Sequence, residues 1–168
     1  MNRKNIILCG FMGCGKSTVG TLLAKKAGMS FVDLDTYIEK KENKTVSEIF
    51  AENGEAYFRQ AERKAAEELS QKKGLVIAAG GGTLVFKENE EALRKTGKVV
   101  LLDIPVERVA ERLKNDTTRP LLNRPDKEKA MKELYESRMP IYRAAADYTV
   151  DADNSPMKVC MDILDAVM

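Results

Sequence analysis

The sequence of 168 residues contains no histidine and only three cysteines. Without histidine, proton transfer by a side chain must rely on a carboxylate, a lysine or a tyrosine, and a histidine metal site is excluded. The three cysteines are an odd number and show no Cys-x-x-Cys spacing. This pattern predicts reduced thiols and a cytoplasmic location.

Long hydrophobic runs and a strong net charge are also absent. No apolar run approaches the ~20 residues that a transmembrane helix needs, and the start, Met1-Asn2-Arg3-Lys4, has no apolar signal-peptide core. The net charge of +2 predicts no general attraction to nucleic acid or to membranes. The length fits one domain spanning residues 1–168. We expect that domain to be a monomer.

Residues 10–18, Gly-Phe-Met-Gly-Cys-Gly-Lys-Ser-Thr, match the G-x-x-x-x-G-K-[ST] phosphate-binding loop. A β-branched apolar run at 6–9 precedes the loop, and helical spacing follows it until Gly28. This order of strand, loop and helix is the context that the motif requires. The alternative is a plain glycine turn followed by an incidental Lys-Ser pair. The context favours the phosphate-binding loop, and we predict that the protein binds a nucleoside triphosphate.

The residue types in this loop predict their own tasks. Backbone N–H groups of a glycine-rich loop at a helix N-terminus can point at phosphate oxygens. Lys16 is predicted to reach the β- and γ-phosphates, and the Ser17 hydroxyl to ligate Mg²⁺. We interpret Cys14 as tolerated in the loop rather than catalytic. The residues predicted to contact the nucleotide here are Gly13, Cys14, Gly15, Lys16, Ser17 and Thr18.

Three times the sequence runs from basic residues through a glycine into an apolar strand, at 25–33, 72–79 and 94–102. Cations favour a helix C-terminus, and glycine accepts the left-handed conformation beyond it. Apolar strands that alternate with helices predict an α/β fold with a parallel sheet covered on both faces. Residues 148–150 are a fifth candidate strand.

Acidic residues and glycines follow two of these strands. Asp33 and Asp35 end the second strand, and strand alternation predicts that both carboxylates share a face. One would serve Mg²⁺ and the other a substrate hydroxyl; the alternative is that they cap the next helix. Asp103 ends a later strand and is the rival to Asp33 for the metal. Three glycines, 80–82, predict close backbone approach to a ligand; the alternative is a loose turn.

A helical insertion lies between the second and third strands, beside the sheet edge where such folds bind ligands. It supplies Arg59, and Arg138 falls on the apolar stripe of a later helix, where a charge needs an anionic partner. The two arginines are candidates for a carboxylate clamp, because guanidinium groups bind carboxylates in a bidentate way. A polar, proline-containing stretch at about 113–125 is a candidate lid, and its Arg119 is a candidate for stabilising a transferring phosphoryl group.

Taken together, these features resemble the shikimate kinase family along nearly the whole chain. The phosphate loop is shared with many kinases, whereas the ordered set of motifs is far more specific. The residues that carry the resemblance are Gly10 to Thr18, Asp33-Leu34-Asp35, Gly54-Glu55…Phe58-Arg59…Glu62, Gly80-Gly81-Gly82, Arg119-Pro120-Leu121-Leu122 and Arg138…Pro140-Ile141-Tyr142.

The resemblance implies a three-layer P-loop fold with a central five-stranded parallel sheet, a substrate-binding region at about 34–62 and a lid. It implies ATP-dependent phosphorylation of the 3-hydroxyl of shikimate, in the pathway to chorismate and the aromatic amino acids. Asp35, Arg59, Gly81, Gly82 and Arg138 would bind shikimate, and Asp35 would be the candidate proton acceptor.

On the nucleotide side, the resemblance implies that Lys16 and Arg119 stabilise the phosphoryl group, while Ser17 and Asp33 surround Mg²⁺. Arg112 and Pro156 would contact the adenine. Asn154 stands where some family members carry arginine.

Two other functions stay open on the sequence alone. The first is a different small-molecule kinase of the same fold, which would phosphorylate gluconate or a nucleoside monophosphate. The second is a nucleotide switch or binding module without turnover. The segment Asn43-Lys44-Thr45-Val46 lacks the acid of a guanine-reading N-K-x-D motif, which argues against a GTPase.

The candidate lid generates a first prediction. Replacing Arg119 with alanine should lower turnover while the protein stays folded, because a cation near the transferring phosphoryl group stabilises the transition state. Steady-state ADP release and a circular dichroism melt measure the two properties. Unchanged turnover would remove Arg119 from the catalytic residues.

Overall fold

The computed structural model describes residues 4–113 and 126–167 of the chain. Arg119 and nearly all of the predicted lid lie outside the described residues, and so does the Arg-Pro-Leu-Leu motif.

Five described segments are strands: β1 Asn5–Cys9, β2 Ser30–Asp33, β3 Leu75–Ala78, β4 Gly97–Asp103 and β5 Tyr148–Asp151. They form one parallel sheet in the order β2-β3-β1-β4-β5. The central strand places Ile7 between Ile77 and Val99, and all three side chains are fully buried. The three inner strands, β1, β3 and β4, are buried along most of their length, and such strands read as continuous apolar runs, whereas the edge strands β2 and β5 are more exposed.

Eight α-helices connect and flank these strands in the described chain: α1 Lys16–Ala27, α2 Leu34–Glu42, α3 Val46–Asn53, α4 Glu55–Ser70, α5 Lys87–Arg94, α6 Val106–Leu113, α7 Lys127–Ala145 and α8 Pro156–Val167. The insertion between β2 and β3 consists of α2, α3 and α4, and α1 packs against α8. None of these helices combines the length and the hydropathy needed to cross a bilayer.

Local capping signals set the helix boundaries of the insertion. The Thr45 hydroxyl accepts the N–H of Glu48 at 3.1 Å and caps α3. Gly54, with φ of 86°, separates α3 from α4. Helix α1 ends at Gly28 in the left-handed conformation, after Lys25 and Lys26 in its last turn.

The predicted extension of β2 through Asp35 is wrong. The strand ends at Asp33, whose carboxylate accepts the N–H of Thr36 at 3.0 Å and caps α2. Capping stops the strand because the chain turns into a helix at the next residue. Asp35 therefore lies in the first turn of α2, and alternation along a strand does not bring the two carboxylates together.

At the amino end of the sheet, one buried side chain joins three segments. The Asn5 amide donates to the carbonyl of Lys72 at 2.8 Å and to the hydroxyl of Thr96 at 3.3 Å. Its oxygen accepts the N–H of Leu75 at 2.9 Å. These bonds align β1 with the beginning of β3 and with the turn before β4, at the edge opposite the phosphate loop.

We expect the substitution Asn5→Ala to lower the free energy of unfolding by about 3 kcal/mol, because it leaves buried backbone groups without partners. Urea denaturation measures this loss. The exposed Asn53→Ala serves as control and should change stability by less than about 0.5 kcal/mol. Equal stability of the two variants would show that the Asn5 bonds contribute nothing.

Candidate active site

The phosphate loop runs from the end of β1 to the first residue of α1. Gly13 and Gly15 adopt φ of 81° and 93°, values that favour glycine. A Cβ on Gly10 would lie 2.8 Å from the carbonyl oxygen of Leu102, so the loop also depends on close contact with β4. No side chain caps the start of α1, and its N–H groups remain available to an anion.

Lys16 folds back over this loop. Its ammonium group donates to the carbonyl oxygen of Gly10 at 2.7 Å and lies 3.8 Å from the sulfur of Cys14. Cys14 is buried beside it. Cys9 is buried too, and its own burial raises the pKa of its thiol to about 12. The lysine therefore lies over the loop, and the buried Cys14 contributes packing.

Ser17 and Asp33 bring two oxygen ligands together beside the loop, with Ser17 Oγ 3.3 Å from Asp33 Oδ2. Hard oxygen donors suit Mg²⁺, which commonly keeps several waters and binds through few protein groups. No cluster of three acidic or cysteine ligands occurs within the described ranges. Asp103, the rival metal ligand, lies 3.9 Å from the guanidinium of Arg143. The Ser17–Asp33 pair fits a magnesium ion held partly through water.

Asp35 reaches the glycine segment from the first turn of α2. A Cβ on Gly80 would lie only 2.7 Å from Asp35 Oδ1. Burial raises the pKa of the Asp35 carboxyl to about 6, and repulsion from Asp33 and Glu62 adds to this effect. Such a carboxyl is a stronger proton acceptor than an ordinary aspartate and is still mainly ionised at neutral pH.

Arg59, on α4, is held on several sides. Its guanidinium carbon lies 5.3 Å from the ring centroid of Phe58 and 5.1 Å from that of Phe86. Its Nη1 donates to the buried Glu62 carboxylate at 3.0 Å. A Cβ on Gly82 would lie 2.6 Å from the same nitrogen. The guanidinium thus occupies space that only a glycine leaves free.

Arg138, on α7, reaches the same glycine segment from the other side. Its Nη1 donates to the carbonyl oxygen of Gly81 at 2.6 Å, and the hydroxyl of the buried Tyr142 donates to the same oxygen. Its partner among the described residues is therefore a backbone carbonyl. Two donors on one carbonyl fix the position of Gly81 between the two arginines.

Sequence reasoning missed Tyr142 and Glu62 as parts of this arrangement. The burial of Tyr142 fits the apolar stripe of α7, and nothing in that pattern marks its hydroxyl. Glu62 entered only through the family motif. Its signal was available, because it lies four residues after the buried Phe58 and three before the buried Ala65.

A shallow groove of ≈ 450 Å³ opens next to the phosphate loop. Arg112 lines it and also donates to the carbonyl of Gly13 at 2.7 Å, which ties α6 to the loop. Pro156 begins α8, two residues beyond Asn154. The residues that line the groove are Arg108, Glu111, Arg112, Asp153 and Asn154.

The loop, the acidic pair and the glycines lie at the carboxyl ends of parallel strands: the loop follows β1, Asp33 ends β2 with Asp35 just beyond it, and the glycines follow β3. A phosphate loop beside a second charged cluster, at the ligand-binding edge of such a sheet, defines the class of P-loop kinases.

The sequence model of shikimate kinase matches residues 12–168. A shikimate kinase from Persephonella marina is 47% identical over 162 residues, which are 96% of this chain and 97% of that protein. The chain belongs to the shikimate kinase family.

Solved structures agree with this membership and with the predicted fold. A shikimate kinase from Acinetobacter baumannii, in complex with shikimate, superposes with a TM-score of 0.92 at 38% identity, covering 98% of this chain and 93% of that one. A shikimate kinase from Aquifex aeolicus gives 0.85 at 40% identity, covering 96% and 95%. A gluconokinase from Sinorhizobium meliloti gives 0.64 at 18% identity, a likeness that shows only the shared fold.

The contact between Gly82 and Arg59 generates a prediction. In Gly82→Ala the new methyl group displaces a flexible guanidinium rather than backbone, so the protein should fold normally. We expect the KM for a carboxylate-bearing acceptor to rise at least ~10-fold, because a displaced binding group loses its alignment. The KM for ATP should stay the same.

Gly81→Ala is the matched comparison, since its Cβ would meet Arg138 at an ordinary 3.5 Å. Its effect on the acceptor KM should be the smaller one. Equal effects would mean that added bulk anywhere in the glycine segment perturbs the site, without a specific contact to Arg59.

Proposed function

We propose that the protein transfers the γ-phosphoryl group of ATP to the 3-hydroxyl of shikimate, yielding shikimate 3-phosphate for the synthesis of chorismate and the aromatic amino acids. The observation that supports this most directly is the convergence of Arg59 and Arg138 on the glycine segment. Two guanidinium groups on one small site suit a single carboxylate. Membership of the shikimate kinase family supports the same acceptor.

In this proposal the acceptor lies between α4, α7 and the glycines. Arg59 and Arg138 bind its carboxylate, and the backbone of Gly81 and Gly82 borders its ring. Arg138 exchanges the Gly81 carbonyl, its partner in this structure, for the stronger charge of the carboxylate. Asp35 binds the hydroxyl groups at the end of the site that faces the phosphate loop and accepts the proton of the attacking hydroxyl.

On the nucleotide side, the N–H groups of residues 13–18 hold the phosphates. Lys16 leaves the Gly10 carbonyl to stabilise charge on the transferring group, together with Arg119. Ser17 and Asp33 would hold Mg²⁺, which would neutralise phosphate charge when bound. Arg112 and Pro156 border the adenine. We further propose that the enzyme acts as a cytoplasmic monomer, in keeping with the free, buried thiols of Cys9, Cys14 and Cys160.

The deciding experiment is a coupled ADP-release assay with ATP and Mg²⁺ that compares shikimate, gluconate and nucleoside monophosphates as acceptors. We expect shikimate alone to stimulate release, and Lys16→Ala to abolish the stimulation.

Arg138→Ala should raise the KM for shikimate far more than the KM for ATP. Magnesium chelation should stop turnover.

Other outcomes contradict specific parts of the proposal. Stimulation by gluconate or a nucleotide would keep the kinase and overturn the assignment of the arginine pair to shikimate. No stimulation by any acceptor would indicate a nucleotide-binding module. Equal weakening of both substrates in Arg138→Ala would make Arg138 a structural residue.

A further inference from the structure

The Glu62 carboxylate that holds Arg59 has a second partner, Thr83. Glu62 is 1% exposed and Thr83 is fully buried. The Thr83 hydroxyl donates to Glu62 Oε2 at 3.0 Å, while Glu62 Oε1 accepts from Arg59 Nη1 at 3.0 Å. Each carboxylate oxygen thus accepts one hydrogen bond, and the two bonds together fix the plane of the carboxylate.

Thr83 itself is held in place by its backbone. It begins the short 3-10 turn that follows the three glycines. Its N–H donates to the carbonyl of Gly80 at 3.2 Å, and its carbonyl accepts the amide of the buried Asn89 at 3.0 Å. The hydroxyl therefore has a defined position relative to the glycine segment, and its hydrogen bond to Glu62 fixes the position of that carboxylate.

Removal of the hydroxyl would leave Glu62 Oε2 buried without this donor. A buried carboxylate oxygen without a partner is costly, and the carboxylate can recover a partner by rotating toward the remaining guanidinium nitrogens. That rotation would draw Arg59 toward α4 and away from the edge that borders Gly82. The guanidinium would then be misaligned for a substrate carboxylate.

We propose that Thr83 is a positioning residue, which sets the orientation of the Arg59 guanidinium through Glu62 and so tunes affinity for the carboxylate acceptor. This proposal rests on the proposed function for its kinetic consequence. Thr83 also anchors Gly80, so one buried residue links the glycine segment to the insertion helix. Neither composition nor helical periodicity marks it.

The test compares Thr83→Val, which keeps the shape and removes the hydroxyl, with Thr83→Ser, which keeps the hydroxyl. We expect the KM for shikimate to rise about tenfold in Thr83→Val, the size of effect that loss of one hydrogen bond to a charged group produces. Thr83→Ser should restore most of the affinity. The KM for ATP should stay within about twofold of the parent value in both variants.

An unchanged KM for shikimate in folded Thr83→Val would overturn the proposal. So would a parallel rise of both KM values, or equal defects in the valine and serine variants, since these indicate a general packing role.

A second readout needs no acceptor and separates this proposal from the proposed function. The Nε–H of Arg59 is buried, so its exchange with solvent can be followed by ¹⁵N NMR, with Arg59→Lys to assign the signal. We expect several-fold faster exchange in Thr83→Val than in the parent protein or Thr83→Ser. Unchanged exchange would refute the positioning role, even if shikimate proved not to be the acceptor.

Discussion

The candidate acceptor site depends on the absence of two methyl groups after β3, at Gly80 and Gly82. A Cβ on Gly80 would lie 2.7 Å from Asp35, and a Cβ on Gly82 would lie 2.6 Å from Arg59. Between these two glycines, the carbonyl oxygen of Gly81 accepts a hydrogen bond from Arg138. Charged side chains from α2, α4 and α7 can therefore converge on one stretch of backbone. The entropy that glycines lose on folding is the cost of this arrangement.

The same convergence brings charged side chains close together, and the fold places the acidic pair and the two arginines on different sides of the site. Asp33 and Asp35 lie on the side of the phosphate loop, where their carboxylates repel each other and Lys16 opposes the repulsion, whereas the Glu62 carboxylate is paired with Arg59. The guanidinium groups of Arg59 and Arg138 lie on the side of the later glycines. An acceptor with a carboxylate at one end and hydroxyl groups at the other matches this polarity, so its orientation follows from charge before any finer contact forms.

Local rules made most of the fold predictable, and the same rules explain where prediction failed. The phosphate loop, the helix caps at Gly28 and Thr45 and the strand runs are encoded within a few residues, and the five-stranded parallel sheet is confirmed. Asp35 was placed by strand alternation, although a helix cap at Asp33 ends the strand first. The bonds of Tyr142 to Gly81 and of Thr83 to Glu62 span 61 and 21 residues, and no local rule reaches that far.

A distinction between charges and hydroxyls follows from these cases. A charge on the buried face of a helix contradicts the hydrophobic pattern, so Arg138 was conspicuous in the sequence, and Glu62 breaks the apolar face of α4 in the same way. A threonine or tyrosine hydroxyl contradicts nothing, because the rest of the side chain packs as an apolar group. One sequence can therefore reveal the charged members of a buried network, whereas the hydroxyl groups that orient them become visible only when the fold brings their partners together.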